Sequence, residues 1–349
     1  GARTGASVRA TARTACADSA DPVASAPACA VLRSATKRGV GKFSAIHTCL
    51  VRTLSIDNAE PSTPEPVYGT CSDPSAPCRT PSSPPDIDGC LVDRLIGSGG
   101  FSDVFLYEQQ LPRRKVAVKA LLTHELTDQA RAAFTTEADL MARLSTHPYI
   151  VTIYQAGVAR DGRPYLVMEY VEGYTLEQRA KQNALSVEDT ANYISQALSA
   201  LSYAHARNVV HRDIKPANLM VTTHGIVKLM DFGIAKSNVD INLTRPGTTI
   251  GSFYYMSPEQ VRGSSVDARS DLYSIGVVLY ELLAGRRPFE SDSTYGVLNQ
   301  QLNDAPRPPI EINPSLSPQL NAIILTALAK DPAERFQNAD AFRNALKAF

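Results

Sequence analysis

The sequence predicts an α+β chain: a small β-rich part with one helix at about residues 86–170, then a larger, mostly helical part at about 171–349. Three observations carry that prediction. Short strand-like runs punctuated by Gly or Pro recur before residue 171, long apolar stretches at helical spacing dominate after it, and the first 85 residues show neither period.

The chain has 349 residues, 44% of them hydrophobic, which is ample for a large buried core. Its 35 basic and 35 acidic residues balance overall but not locally. Residues 1–56 hold eight Lys+Arg against two Asp, and the rest holds 27 basic and 33 acidic residues. Neither half suits nucleic acid, because the basic end lacks aromatics interleaved with its charges and the remainder has an ordinary globular balance.

Residues 1–56, rich in Ala, Ser, Thr and Arg, are predicted to be disordered. Their Arg- and Ser-rich, acid-poor composition also resembles an organelle transit peptide, so targeting is the alternative to a cytoplasmic default. Residues 61–85 carry eight prolines and read as an extended linker, which makes residues 1–85 an arm and residues 86–349 the folded domain. All six cysteines (Cys16, Cys29, Cys49, Cys71, Cys78, Cys90) lie at or before residue 90. Their spacing fits no metal knuckle or redox pair, so free thiols are expected and the folded body needs no disulfide. No apolar run is long enough to span a bilayer, and no sensor domain or anchor is expected beyond Phe349.

Residues 91–96 and 103–107 read as strands flanking Gly97-Ser98-Gly99-Gly100-Phe101-Ser102. Glycines in such a turn let backbone amides approach phosphate oxygens that a Cβ would hold off. A dinucleotide-binding fold would put a helix after the turn, and here a strand follows. Val116-Ala117-Val118-Lys119 is the next strand, and its one ammonium, flanked by apolar residues, suits neutralising phosphate at the floor of a cleft. A helix capped by Thr127 follows, with Phe134, Ala138, Met141 and Leu144 on one stripe. Residues 163–171 then form a strand that runs into the junction between the two parts.

In the helical part, residues 186–208 form an amphipathic helix with Ile194, Leu198, Leu201 and Ala204 at helical spacing. It delivers the stretch around which the chain is organised: Val209-Val210-His211-Arg212-Asp213-Ile214-Lys215-Pro216-Ala217-Asn218-Leu219-Met220, a short turn, then Val227-Lys228-Leu229-Met230-Asp231-Phe232-Gly233. Two acids and an amide in apolar frames suit a site that orients a hydroxyl and holds a divalent cation against phosphate oxygens. His211 and Phe232 read as core contacts. After an aperiodic polar run come Gly251-Ser252-Phe253-Tyr254-Tyr255-Met256-Ser257-Pro258-Glu259 and a buried helix at 270–280, whose Asp271 suits the helix N-terminus.

These stretches resemble the glycine-rich loop, catalytic loop and metal-binding triplet of protein kinases, and the likeness covers about residues 87–349. Lys215-Pro216 looks like the serine/threonine branch, and Tyr255-Met256-Ser257-Pro258-Glu259-Gln260 like its bacterial members. Ser102, Ser252 and Ser257 depart from the usual Gly, Thr and Ala. The resemblance implies the two-lobed kinase fold and the use of ATP with Mg²⁺ or Mn²⁺. Asp213 would accept the substrate hydroxyl proton, Lys215 would offset charge on the transferring phosphate, and Asn218 and Asp231 would hold metal. Lys119 would meet the α- and β-phosphates and pair with Glu137. Ile96, Gly97, Gly99, Val104, Ala117, Met168, Glu169, Val171 and Met220 would surround the nucleotide, with backbone groups of Glu169 and Val171 on the adenine edge. Asp271 would brace the catalytic loop, and Arg335 would pair with Glu259. Implied partners are proteins phosphorylated on Ser or Thr, and a second copy of the chain in a transient homodimer for autophosphorylation. The expected targets in the polar run are Thr244, Thr248 and Thr249, with Arg212 as the phosphate's partner. A nucleotide-binding scaffold of the same fold with weak or no turnover is the alternative. A small-molecule kinase of related fold would lack the docking segment before Glu259.

Overall fold

In the computed structural model the described residues are 80–99, 102–122, 128–182, 185–232 and 251–349, and some side chains between 128 and 137 also lie outside that description. A sheet whose central strands are buried on both faces builds the first lobe. Strands β1 (Cys90–Ser98), β2 (Ser102–Gln110) and β3 (Arg113–Leu121) form an antiparallel meander. Strands β4 (Ile153–Val158) and β5 (Pro164–Glu169) complete a five-stranded sheet in the order β1-β2-β3-β5-β4. Period two sorts its faces. Leu106, Ala117 and Met168 turn toward the main core, whereas Phe105, Tyr107, Val116, Val118 and Val167 join Ile87 in a second cluster on the other face.

Helix α1 (Asp128–Leu144) buries Ala138, Met141 and Leu144 and half-buries Phe134, the stripe that its spacing predicts. Its expected cap, Thr127, lies outside the described residues. Strand β4 is absent from the strands the sequence predicts. Three residues in a row, Tyr154, Gln155 and Ala156, are exposed, so no apolar alternation marks it.

A small second sheet of β6 (Gly173–Thr175), β7 (Leu219–Thr222) and β8 (Val227–Leu229) opens the helical lobe. Between β6 and β7 the chain makes the short helix α2 (Leu176–Lys181) and the long helix α3 (Val187–His205), whose N-terminus is capped by the Ser186 side chain accepting from Asp189 N–H. After β8 come α4 (Pro258–Val261), α5 (Ala268–Ala284), α6 (Thr294–Asn303), α7 (Pro318–Ala327) and α8 (Ala339–Lys347). Helix α5 is buried almost all round, as its apolar sequence requires. One glycine permits this close packing and a second ends the helix. A Cβ on Gly276 would stand 2.8 Å from the Ala327 Cβ of α7, and Gly285 ends α5 in the left-handed region at φ 71°.

The lobes share one apolar cluster that runs from Ile96 and Ala117 through Met168 and Val171 to Met220 and into α3 and α5. Backbone bonds stitch them as well: Leu229 N–H donates to Tyr149 O at 2.8 Å, and Val151 N–H to Leu229 O at 3.0 Å. Among the described residues no helix is long and apolar enough to cross a membrane.

Candidate active site

The loop after α3 carries its key residues because one buried carboxylate holds its backbone. Asp271 sits in the first turn of α5, where the helix dipole favours an anion, and is 1% exposed. Its Oδ2 accepts from His211 N–H and from His205 Nε2, and its Oδ1 from Arg212 N–H, each at 2.8 Å. Arg212 adopts φ 65°, a conformation that costs a non-glycine residue free energy and persists where its surroundings impose it. Gln260 adds a further restraint by donating from Nε2 to Arg212 O at 3.0 Å, and Ser257 positions Gln260 through a reciprocal capping box. Ile214, Leu219 and Met220 anchor the loop from beneath.

Within this frame Asp213 meets two neighbours. Lys215 Nζ lies 3.2 Å from Asp213 Oδ2 and donates to Ser252 Oγ at 3.0 Å, so one ammonium spans the acid and the segment that follows the polar run. Asn218 spends its Nδ2 on Asp213, at 2.8 Å to the backbone oxygen and 3.3 Å to Oδ2, which leaves its Oδ1 as the atom suited to a cation. His211 is fully buried. Burial pulls its pKa down, and its bonds assign the proton to Nε2, which faces Met230 O, while Nδ1 accepts from Asp213 N–H. It is a core contact, as the sequence predicts, with the Phe232 ring 4.4 Å away.

Asp231 comes from the other side of the cleft. It follows β8 at φ 54°, and Lys119 Nζ of β3 reaches across to its Oδ1 at 2.6 Å. Burial pushes the Asp231 carboxyl up, yet the ammonium of Lys119, its hydrogen bond and the charge of Lys215 bring it below the ordinary aspartate range. The site therefore offers an ionised carboxylate and an amide oxygen. That donor set fits Mg²⁺ or Mn²⁺, which take one or two protein oxygens and complete their shells with phosphate and water. Glu137 lies in α1, but its side chain is outside the described residues, so its pairing with Lys119 remains an expectation.

The expected nucleotide residues converge. Ile96, Ala117, Met168, Val171 and Met220 belong to one buried cluster, with Val104 packed against it. Gly97 pairs with Val104 at the end of the β1–β2 ladder, and Gly99 N–H donates to Ser102 O at 2.8 Å across the turn. Met168 also lines a cavity behind this region with Lys119, Met141, Leu166, Asp231 and Phe232. Glu169 N–H is bonded to Thr152 O at 2.8 Å, and its side chain receives Lys228 Nζ at 2.9 Å.

A model of the protein kinase domain matches residues 91–346. The chain belongs to the protein kinase family. Curated relatives include a probable serine/threonine-protein kinase of Streptomyces coelicolor, 42% identical over 73% of this chain and 39% of its own length. Serine/threonine-protein kinase pkn3 of Myxococcus xanthus is 43% identical over 74% of this chain and 49% of its own, and PknB of Mycolicibacterium smegmatis 41% identical over 72% and 41%. The chain thus spans less than half the length of these relatives. The crystal structure of the Mycobacterium tuberculosis PknI kinase domain superposes with a TM-score of 0.60 at 27% identity, over 77% of this chain and 99% of that one. The two-lobed kinase fold is therefore the fold of this chain.

The remaining kinase features fall at the docking end. Arg335 holds Glu259 bidentately, Nη1 to Oε1 and Nη2 to Oε2, both at 2.8 Å, with Ser270 Oγ donating to the same carboxylate. Burial raises the Glu259 pKa, but Arg335 and Ser270 outweigh it and hold the carboxyl below its usual range. Thr244, Thr248 and Thr249 lie outside the described residues, as does Gly233. Sequence reasoning missed Gln260, Lys228 and Asp103. Gln260 three residues after Ser257 is a capping-box spacing that could have been read. The other two act through long-range contacts that leave no local signal.

Proposed function

We propose that this kinase is an ATP- and Mg²⁺-dependent (or Mn²⁺-dependent) serine/threonine protein kinase. The observation that carries the proposal is the Lys215 bridge, which sets one ammonium between the Asp213 carboxylate and the Ser252 hydroxyl, with Asn218 bonded to the same aspartate. A serine or threonine hydroxyl presented at Asp213 gives up its proton to that carboxylate while its oxygen attacks the γ-phosphorus. The bond to the β–γ bridging oxygen breaks and ADP leaves. Lys215 beside the reacting oxygens and Lys119 on the strand side offset the phosphate charge. A bound Mg²⁺ or Mn²⁺ would supply positive charge against the phosphate oxygens, held by Asn218 and Asp231. Ile96, Val104, Ala117, Met168, Val171 and Met220 supply the apolar walls for adenine, with backbone groups of Glu169 and Val171 at its edge.

Protein substrates and autophosphorylation within a transient homodimer belong to the same reading. Arg212 carries a guanidinium with no ion pair among the described residues, next to the proposed catalytic base, and a phosphate on Thr244, Thr248 or Thr249 would satisfy it. Incubation with labelled ATP, Mg²⁺ and a generic basic protein tests the proposal. Label on serine and threonine of substrate and kinase is the expected outcome. Tight ATP binding without transfer would instead establish an inert scaffold.

A further inference from the structure

Residues 82–85 belong by composition to the proline-rich linker, yet with residues 86 and 87 they are bonded along the outer face of the five-stranded sheet. Ser82 donates from both N–H and Oγ to Asp103 Oδ2, at 2.7 and 2.6 Å. Ser83 O accepts from Arg163 Nη2 at 2.8 Å, and Pro85 O from the Tyr107 hydroxyl at 2.5 Å. Ile87 is buried among Phe105, Tyr107, Val116 and Val118, and Arg160 pairs with Asp86 and Asp88 beyond it. A proline-rich segment already extended loses little entropy on docking in this way.

Asp103 is the point of leverage. It is fully buried, and it faces Ser98 as the last cross-strand pair before the glycine-rich turn. Ser98 Oγ donates to Asp103 Oδ1 at 2.7 Å, so one carboxylate ties both stems of the turn to Ser82. A buried carboxylate depends on its donors, and losing some of them destabilises the geometry that they hold. The N-terminal stem of the turn belongs to the edge strand β1, whose register with β2 shifts between Val92 and Arg94 and again between Leu95 and Gly97.

We propose that residues 82–87 are a strap, and that Ser82, acting through Asp103, positions the glycine-rich turn over the nucleotide phosphates. Both are positioning residues, and the domain begins near residue 80 rather than at 86. The phosphate half of this inference rests on the ATP reading above.

Hydrogen exchange on the full chain without nucleotide tests the strap directly. Ser82→Pro removes both donors, Ser82→Ala removes one, and Ser82→Thr keeps both. Amides from Gly97 to Val104 should exchange about tenfold faster in the Pro variant, the ratio expected for losing a hydrogen bond to a charged group. The Ala variant should fall between, the Thr variant should match the parent, and amides of β3 and β5 should not change. Affinity for a non-hydrolysable ATP analogue should weaken in the same order while adenosine affinity holds, because adenosine places nothing beneath the turn. Unchanged exchange at the turn in Ser82→Pro, or adenosine weakened as much as the analogue, overturns the strap. A parent protein that binds no ATP analogue overturns the nucleotide reading and the phosphate half of the inference, while exchange still decides the latch.

Discussion

Asp271 and Asp103 are two carboxylates with almost no exposure, and each organises a loop at the cleft, but their settings differ. Asp271 stands inside the first turn of a buried helix and bonds loop backbone directly, at His211 and Arg212, within the largest core cluster. Asp103 stands at the end of an edge hairpin and bonds the side chain of Ser98 and a residue from beyond the sheet, Ser82. The loop that carries Asp213 is therefore held from within the helical lobe. On the phosphate side the corresponding carboxylate is instead held by a short segment at the N-terminal edge of the domain.

The largest effect is expected where the rigid side meets substrate. Replacing Asp213 with Asn should lower turnover by about 10²–10⁴-fold, the usual worth of a positioned acid–base group. Melting temperature and ATP affinity should hold, since Asp271 rather than Asp213 supports the loop backbone. Steady-state kinetics beside a thermal melt decides. Parental turnover in the variant would remove Asp213 from the chemistry.

Lys119 joins the two sides, and its loss should cost turnover about 10²–10³-fold, the scale for removing one preorganised charge from a developing anion. Stability should change by at most about 1 kcal/mol in Lys119→Met, because the Asp231 side chain is 42% exposed and water can replace the ammonium. A large fall in the melting temperature of the ligand-free variant would make the ion pair a structural joint between the lobes.

Stability should instead respond at Arg335, deep on the rigid side. Arg335→Met leaves Glu259 buried without its partner, a change worth about 3–5 kcal/mol in comparable buried pairs. The pH dependence has a defined sign. Glu259 has a lowered pKa in the folded protein, so its contribution is complete above the ordinary glutamate value of about 4.3 and fades as pH falls through the lower folded value. The gap between parent and variant should be widest near neutral pH and narrow in acid, as urea midpoints across that range would record. A gap independent of pH would assign the loss to packing of the Arg335 stem instead.

What could be read from the sequence follows the same division. The glycine turn, Lys119, Asp213, Asn218 and Asp231 lie in local patterns of chemistry and hydropathy, and the Glu259–Arg335 pair follows from the family likeness. Strand β4 escaped because its exposed Tyr154, Gln155 and Ala156 carry no alternation, and it owes its place to pairing with β5. Ser82 escaped because proline-rich composition predicts a linker whatever surface lies nearby. Lys119 meeting Asp231, and Lys228 meeting Glu169, join residues 112 and 59 positions apart. No spacing rule reaches that far.

Lys228 offers the smallest and most discriminating effect. It lies on β8 three residues before Asp231, and its ammonium holds Glu169 at the junction of the lobes, where Thr152 N–H also reaches the same carboxylate oxygen at 3.3 Å. The pair is partly exposed, at 14% and 25%, so its loss is worth about 1 kcal/mol or less. Lys228→Met should raise KM for ATP about two- to fivefold at unchanged kcat, since Glu169 opens the segment expected along the adenine edge. Lys228→Arg keeps the charge and should restore most of the loss. An unchanged KM, or an Arg variant no better than Met, would show that the pair holds nothing the nucleotide feels. A fall in kcat with KM intact would place this ion pair with Asp271 on the rigid catalytic side, because β8 would then be transmitting the loss to Asp231 rather than to the adenine edge.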